Sequence, residues 1–256
     1  MKSARLANAA RAVAVPAVVL IVWEVACRRG WVNPAVLPPP SKVFLRLIDY
    51  ARSGELPRDA AASLMRVAVG FFIGAALALP LGLLMGASDR LYRLLNPLLQ
   101  IVRPIPPIAF IPLAILWFGL GNPPAFVLIA LGAVFPILVN TISGVRNVDA
   151  IYLRAAANLG ARGPTLFLRV ILPAALPHIL TGMRVAIGVA FIVVIVAEMI
   201  AVNNGLGYRI LEAREYFWSD KIIAGMLSIG LIGLLIDTAM ARINDHLLRW
   251  HRGVDG

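Results

Sequence analysis

Residues 104–145 read PIPPIAFIPLAILWFGLGNPPAFVLIALGAVFPILVNTISGV and contain no charged side chain. A transmembrane helix needs ~20 apolar residues, so this stretch is long enough for two spans. Gly119, Gly121, Pro123 and Pro124 interrupt it near its middle and predict a tight turn. The stretch therefore predicts two membrane helices joined by that turn.

Other parts of the chain are almost as poor in charge. Residues 12–23 and 67–88 are uncharged, and two later stretches contain only one or two charged residues. Together these stretches predict six helices, at residues 12–27, 67–86, 103–119, 125–144, 180–202 and 222–240.

The composition also indicates a membrane protein. Hydrophobic residues make up 60% of the chain and charged residues 14%, whereas a soluble domain has roughly 45–50% and 25%. A soluble core of this length could not hide so much apolar surface, which argues against a soluble enzyme, a disordered chain and a disulfide scaffold. Cys27 is the only cysteine, so neither an internal disulfide nor a cysteine-based metal cluster can form. The predicted fold class is an all-α membrane protein with six transmembrane helices.

The basic charge is explained by the membrane rather than by nucleic acid. Lysine and arginine number 24 against 13 acidic residues, which gives a net charge of +11. The basic residues flank apolar spans, where they meet anionic lipid, so membrane lipid is a predicted partner and nucleic acid is not. The histidines have no metal-ligand spacing with an acidic residue, and no metal is assigned.

Residues 1–58 are predicted to contain an N-terminal helix and a surface segment. The first span could be a signal peptide, but Glu24 and the Cys27-Arg28-Arg29 end do not form a small-x-small cleavage site. An uncleaved helix is therefore favoured. The run Pro38-Pro39-Pro40-Ser41 then predicts an extended entry to a helix capped at Ser41. A short amphipathic helix at the membrane surface is predicted by Val43, Leu45, Leu47 and Ile48.

Small residues recur at every fourth position of the second predicted span. They are Gly70, Gly74, Ala78, Gly82 and Gly86. Such a stripe lets helix backbones approach closely in lipid, so it predicts a tightly packed bundle and carries no information on substrate.

The third predicted span opens with Arg103-Pro104-Ile105-Pro106-Pro107. Each proline removes a backbone donor and kinks or breaks a helix. Irregular backbone at membrane depth is tolerated against protein or a watery cavity. Two interpretations stay open: a broken helix that lines a pathway, or a helix that begins after Pro107.

Charged residues in the spans are candidates for function. A charge at the bilayer centre costs ~2.5–3.5 kcal/mol on insertion scales, so each should face protein or water. Snorkelling or packing explains each of them structurally. Arg103 and Arg184, however, have no acid one helical turn away in sequence, and an unneutralised arginine beside a pathway would attract an anion. The candidate pathway residues are Arg103, Pro106, Pro107, Arg184 and Glu198.

A long polar loop at residues 146–178 separates the fourth and fifth predicted spans. It contains Arg154-Ala155-Ala156-Ala157-Asn158-Leu159-Gly160, then nine residues, then Val170-Ile171-Leu172-Pro173. This pattern predicts a short alanine-rich helix that ends near Gly160 and a second helical turn that stops before Pro173. The first helix can protrude as a small knob, which suits docking into a groove of a partner.

The loop resembles the EAA loop of type I ABC importer permeases, which reads Glu-Ala-Ala, three residues, Gly, nine residues, Ile-x-Leu-Pro. The spacing matches at every anchor, and the departure is Arg154 where the family usually has glutamate. Four further segments resemble the nitrate, sulfonate, taurine and bicarbonate branch of that family. They are Ser63-Leu64-x-Arg66, Arg103-Pro104-Ile105-Pro106-Pro107, Trp117-Phe118-Gly119-x-Gly121, and Glu198-Met199 with Gly205-Leu206-Gly207-Tyr208. The resemblance covers about residues 36–250.

The resemblance implies a division of labour. Residues 59–245 would be the permease core of a bacterial inner-membrane importer, and residues 246–256 a cytoplasmic tail, with both termini in the cytoplasm. No glycine is followed by Lys-Ser or Lys-Thr, so the chain has no P-loop; ATP would bind a separate ATPase subunit, and the chain itself would need no cofactor. A periplasmic binding protein would deliver substrate, and two copies of the chain would form the pathway. The implied ATPase-coupling residues are Arg154, Ala155, Ala156, Ala157, Gly160, Leu172 and Pro173.

Two other functions remain as alternatives. A secondary transporter would usually show an internal repeat and acidic residues at mid-membrane, whereas here no repeat is visible and the acids lie at the ends of spans. A membrane-embedded enzyme would need a paired nucleophile and base or a His/Asp cluster inside the spans, and neither is found. The sequence therefore favours a permease for a small anion with a sulfonate-, nitrate- or carboxylate-like group.

Overall fold

A computed structural model describes residues 2–248, with side chains from residue 14 onward, and this part of the chain is helical without strands. The helices are α1 (Lys2–Arg28), α2 (Pro40–Arg52), α3 (Glu55–Ala87), α4 (Asp89–Val102), α5 (Ile111–Phe118), α6 (Asn122–Arg146), α7 (Ala150–Asn158), α8 (Gly163–Leu166), α9 (Leu172–Ala201), α10 (Leu206–Glu215) and α11 (Ser219–Leu247). A 3₁₀ turn at Pro107–Phe110 precedes α5, and a π-helical turn at Phe167–Ile171 joins α8 to α9. Most of the predicted tail, residues 249–256, lies outside the described residues.

Within the described residues, four helical segments are long and apolar enough to cross a membrane: Glu55–Ala87, Asn122–Arg146, Gly163–Ala201 and Ser219–Leu247. The segments Asp89–Val102 and Pro107–Phe118 together make a fifth span if they count as one broken crossing. The first predicted span is helical as expected, but α1 is not among these candidates. The all-α membrane fold is therefore confirmed, and the count of six spans stays a prediction.

Helices α3, α6 and α9 form the packed centre of the molecule, with α6 in the middle. A Cβ placed on Gly70 would lie 2.5 Å from Ile129 Cβ, and one placed on Gly86 would lie 2.6 Å from Val145 Cβ. On its other face, α6 meets α9 so closely that a Cβ on Gly182 would lie 2.6 Å from Asn140 Cβ. The small-residue stripe of α3 thus serves the close helix packing that the sequence predicts.

The third predicted span is not one straight helix. α4 and the segment that begins at Pro107 meet at 80°. The helical ladder ends with the bonds from Arg103 N–H to Leu99 O (2.9 Å) and from Ile105 N–H to Val102 O (3.0 Å), because the prolines that follow have no N–H to continue it. The structure has a helix before the break, α4, which begins well before Arg103, and helical structure that resumes at Pro107. That the two pieces cross the membrane as one broken helix stays a prediction.

Two local predictions are wrong. Ser41 does not cap α2; the residue before α2 is Pro39, and the Ser41 N–H and hydroxyl instead donate to the Glu24 carboxylate at 3.0 and 2.8 Å. The helix after Gly160 does not stop before Pro173, because the π-helical turn leads directly into α9. A widened turn just before a proline relieves the clash that would otherwise break the helix.

The packing of α3 on α6 makes a direct prediction. In Gly74→Ala the new Cβ would lie 2.8 Å from Ala130 O and 2.9 Å from Ala133 Cβ, so the helices must separate, at ~1–3 kcal/mol of stability. The matched control is Gly188→Ala in α9, whose Cβ would meet nothing within 4 Å. Thermal unfolding of the purified variants in detergent should show a lower midpoint than that of the unaltered protein for Gly74→Ala and an unchanged midpoint for Gly188→Ala. Equal midpoints for the two variants would contradict this account of the packing.

Candidate functional site

A cavity of about 280 Å³ lies between α4 and α6. Its lining comprises Tyr92, Asn96, Leu99, Gln100, Arg103, Phe135, Val139, Ile142, Ser143, Arg146 and Asn147. A second cavity of about 310 Å³ shares Arg103, Phe135 and Val139 with the first and extends past Pro107 to Val185 and Val189 of α9. The two adjoin at Arg103 and are together called the pathway cavity below.

The pathway cavity reaches the middle of α6. A Cβ on Gly132 would lie 3.7 Å from Pro107 Cγ, so the broken segment meets α6 at that glycine. Gly132 is ten residues beyond Asn122, which places it roughly 15 Å along the helix at ~1.5 Å per residue. That is about half of a ~30 Å hydrocarbon core, so the bend lies near mid-depth.

The part of the pathway cavity between α4 and α6 has a largely polar lining, whereas the part beside Pro107 and α9 is mostly apolar, with Arg103 and Asn140 as its polar residues. Neither part of it is lined by an acidic residue. Arg146 is neutralised by Asp89 at 2.7 Å and lies over the Tyr92 ring at 4.4 Å. Arg103 is exposed at the junction and makes no ion pair within residues 14–248. Arg103 is therefore the cation that remains available to a ligand.

The other predicted pathway residues differ in their surroundings. Pro107 lines the cavity, whereas Pro106 precedes the 3₁₀ turn. Arg184 is not in the lining: its guanidinium donates to both Asp237 carboxylate oxygens at 2.7 and 2.6 Å. The expectation that Arg184 is unneutralised is wrong, because its acid comes from α11 and not from its own helix.

Glu198 is fully buried in a polar cluster at the end of the bundle opposite to α7. Its carboxylate accepts from Arg66 Nη1 at 2.7 Å, from Ser63 Oγ at 2.9 Å and from the Gly207 N–H at 2.9 Å. Arg66, itself only 2% exposed, also donates to Asn122 Oδ1 at 2.7 Å. All these partners belong to the chain, which is the arrangement of a structural ion pair rather than of a ligand site.

The polar cluster continues to the surface through Asp59. That carboxylate accepts from Arg209 Nε at 2.7 Å, from the Tyr50 hydroxyl at 2.9 Å and from the Gly205 N–H at 3.1 Å. Burial, and then the charge of Asp59, raise the pKa of Tyr50 above its ordinary value. Gly205 has a φ of 109°, and a Cβ there would lie 2.5 Å from the Glu198 carboxyl, so the close approach needs glycine. The cluster thereby joins α2, α3, α9 and α10.

The polar cluster is not among the predicted sites, although its residues occur in motifs that the sequence shows. Ser63 and Arg66, and Glu198 with Gly205 to Gly207, belong to two of the four segments that resemble the sulfonate and nitrate branch. A signal was available: Arg66 stands immediately before an uncharged stretch, and Glu198 is the only acidic residue of the apolar stretch 179–202. Two opposite charges at the same end of neighbouring spans are candidates for an ion pair.

At the other end of the bundle, the predicted alanine-rich helix is confirmed as α7. Asp149 caps its start by accepting from the Ile151 N–H at 2.8 Å. At its end, Ala161 N–H donates to Ala156 O at 2.9 Å and Gly160 N–H donates to Ala157 O at 3.0 Å, which is a Schellman motif. Gly160 has a φ of 82°, so it terminates the helix in the left-handed region as expected.

α7 protrudes from the bundle. Ala156 is buried beneath it, whereas Arg154, Ala155, Ala157 and Gly160 are exposed. Leu159 at its tip is 88% exposed. Leu172 and Pro173 lie in the first turn of α9, which follows the π-helical turn directly in sequence. The predicted coupling residues thus lie in two places. Arg154 to Gly160 belong to the protruding helix and its end, and Leu172 and Pro173 belong to the first turn of a helix long enough to cross a membrane.

A helical bundle of this kind, with an open cavity beside a bent helical segment and a protruding surface helix, is typical of a membrane transport subunit. The chain belongs to the family of binding-protein-dependent transport system inner membrane components, whose family model matches residues 78–253. It is therefore a multi-pass permease component of an ABC importer in the inner membrane. Membership of this family implies an ATPase and a substrate-binding protein as partners.

Relatives at 35–39% identity cover most of the chain. The chain is 39% identical to the putative aliphatic sulfonates transport permease protein SsuC of Bacillus subtilis (strain 168), over 94% of this chain and 87% of that protein. It is 35% identical to the taurine transport system permease protein TauC of Escherichia coli K12, over 92% and 87%. It is also 35% identical to the bicarbonate transport system permease protein CmpB of Synechococcus elongatus, over 90% and 86%.

A solved structure confirms the type I importer permease fold. The inward-facing MetNI methionine ABC transporter matches with a TM-score of 0.64 and 22% identity, over 75% of this chain and 95% of that chain. At this identity the likeness concerns the fold alone.

The buried ion pair makes the second prediction. Arg66→Met leaves the Glu198 carboxylate buried without its cation, which should lower stability by ~3–5 kcal/mol. The control is Asp89→Asn, which removes the pair of Asp89 with Arg146 at the ends of α4 and α6, whose side chains are 68% and 34% exposed, and which should change stability little. Thermal unfolding in detergent compares them, and an Arg66→Met midpoint as high as that of Asp89→Asn would show that the buried pair is dispensable.

Proposed function

We propose that this permease carries a small anion with a sulfonate-, nitrate- or carboxylate-like group. The observation that carries the proposal is the pathway cavity, in which Arg103 forms no ion pair with any described residue and no acidic residue contributes to the lining. A cavity of one sign raises the local concentration of ions of the opposite sign and repels like charge. The names of the sulfonate, taurine and bicarbonate relatives support the same class of substrate.

The pathway cavity is suited to weak binding and release of an anion rather than to tight binding. Amide and hydroxyl groups of Asn96, Gln100 and Ser143 surround the approach to Arg103 and can exchange with the hydration shell of an anion. One arginine with neutral polar neighbours holds an anion weakly enough to release it, which conduction requires. Most of the specificity would then come from the binding protein that delivers the substrate.

Transport is driven by a separate cytoplasmic ATPase subunit that binds α7, while this chain hydrolyses no ATP and holds no cofactor. The exposed α7, capped at both ends, is a rigid contact that an ATPase can push or pull. Because the π-helical turn joins this region to α9, a movement of α7 is transmitted to a helix that lines the pathway cavity. Rigid-body switching between two packed states would follow.

Two copies of this chain form the pathway between them. The cavity is open on one side, and no residue of α4 is buried, so a second copy would supply the opposite wall. In this arrangement residues 146–178 are cytoplasmic, because ATP and ATPases are found in the cytoplasm. The N- and C-termini are then also cytoplasmic, and residues 203–221 are outside. Bilayer lipid surrounds the remaining apolar surface, with arginines at its edges.

Gly160→Asp tests the coupling. The substitution should uncouple transport without unfolding the protein, since it strains a residue at φ 82° and places a charge at the ATPase contact. Gly30→Asp is the matched control, because Gly30 has a φ of 72° and equally open surroundings but lies at the other end of the bundle. ATPase activity stimulated by the binding protein, measured in proteoliposomes, should fall in the first variant alone. Normal stimulation with normal uptake in Gly160→Asp would refute the coupling role.

Arg103→Gln tests the substrate class. Loss of a charged hydrogen bond of ~1.5–3 kcal/mol should slow anion uptake about tenfold or more, with ATPase coupling intact. Arg93→Gln is the control, because Arg93 is an exposed arginine of the same helix that does not line the cavity. Uptake of labelled taurine, nitrate and bicarbonate is compared with that of a cation and a neutral sugar. Transport of the cation or sugar with the anions ignored would end the proposal.

A further inference from the structure

The coupling region of this chain is basic. Residues 147–177 contain three arginines, Arg154, Arg162 and Arg169, against one acid, Asp149. The Asp149 carboxylate is already used, since it accepts from the Ile151 N–H at 2.8 Å and caps α7. All three arginines are exposed. Throughout the described residues they make no ion pair, and Arg154 Nε donates only to Ala150 O of its own helix at 3.3 Å.

Apolar side chains lie beside these charges. Ile151 is 61% exposed, Tyr152 54% and Leu159 88%. Exposed aliphatic and aromatic residues with a rim of charge are typical of a protein interface, in which the apolar residues are buried and the charges meet opposite charges at the edge. The small side chains of Ala155 and Ala157 flank Arg154 and let the backbone of a partner approach closely. Lipid headgroups are fluid and adapt to any surface, so contact with lipid would not require these small side chains.

We propose that Arg154 pairs with a carboxylate of the ATPase subunit, so that the docking groove for α7 is apolar at its floor and acidic at its rim. This inference rests on the proposed docking of α7 to an ATPase. It reverses the charge that the glutamate usual at this position would bring to the same contact. The consequence is selectivity: an ATPase whose groove presents a cation at this point would meet Arg154 as a like charge and would be rejected.

The test uses the complex of this permease with the ATPase subunit that copurifies with it, reconstituted in bilayers of neutral lipid. Arg154→Glu should weaken ATPase binding about tenfold or more, since it sets like charges against each other. Arg154→Lys should bind nearly as well as the unaltered chain. Arg90→Glu is the matched control, because Arg90 is exposed at the same end of the bundle but lies outside the coupling region; it should leave binding unchanged.

Two further measurements sharpen the test. Binding of the unaltered complex should weaken as salt rises, and less so for Arg154→Gln, because the ion pair is screened. Binding to Arg154→Glu should be recovered by an ATPase in which one groove carboxylate is replaced by lysine. Tighter or unchanged ATPase binding by Arg154→Glu would overturn the proposal. So would a defect that appears only with anionic lipid, which would assign Arg154 to the membrane surface.

Failure of this inference is distinguishable from failure of the proposed function. If the unaltered permease stimulates its ATPase and Gly160→Asp abolishes the stimulation, α7 is the coupling element whatever Arg154 does. If Gly160→Asp has no effect, the docking itself is wrong.

Discussion

The close contact of α3, α6 and α9 is the constraint on which the rest of the molecule depends. Lipid tails are as apolar as the helices, so the bilayer cannot drive the helices together by the hydrophobic effect, and association relies on close packing. Glycine at Gly70, Gly74, Gly82 and Gly86 allows α3 to meet α6 without intervening side chains. This rigid unit carries the polar cluster at one end and α7 at the other, and the broken α4–α5 segment lies along it.

The broken segment is possible because of that unit. Its prolines leave backbone carbonyls without helical partners, which a lipid-facing surface could not tolerate. Here the break lies against Gly132 of α6 and opens onto the pathway cavity. The same feature therefore removes backbone from lipid and exposes Arg103 to the cavity.

The two ends of the bundle use charge in opposite ways. At the end where α10 lies, Arg66, Glu198, Asp59 and Arg209 neutralise one another inside the protein and fix α2, α3, α9 and α10 to each other. At the end where α7 lies, Arg154, Arg162 and Arg169 form no ion pair with any residue that the structure describes. A rigid end and an end with unpaired arginines suit the proposed docking of α7 to an ATPase.

The sequence by itself determined the membrane class, the central parts of the long helices and the short helix that ends at Gly160. These depend on local properties: an apolar run long enough for a bilayer, and a glycine that reaches the left-handed region. The tertiary structure alone decided the partners of the charges, because the acid for Arg184 lies 53 residues away on α11 and that for Arg66 lies 132 residues away on α9. The tertiary structure also decided that the helix continues through Pro173, because a wider turn and packing against α6 outweigh the local tendency of proline to end a helix.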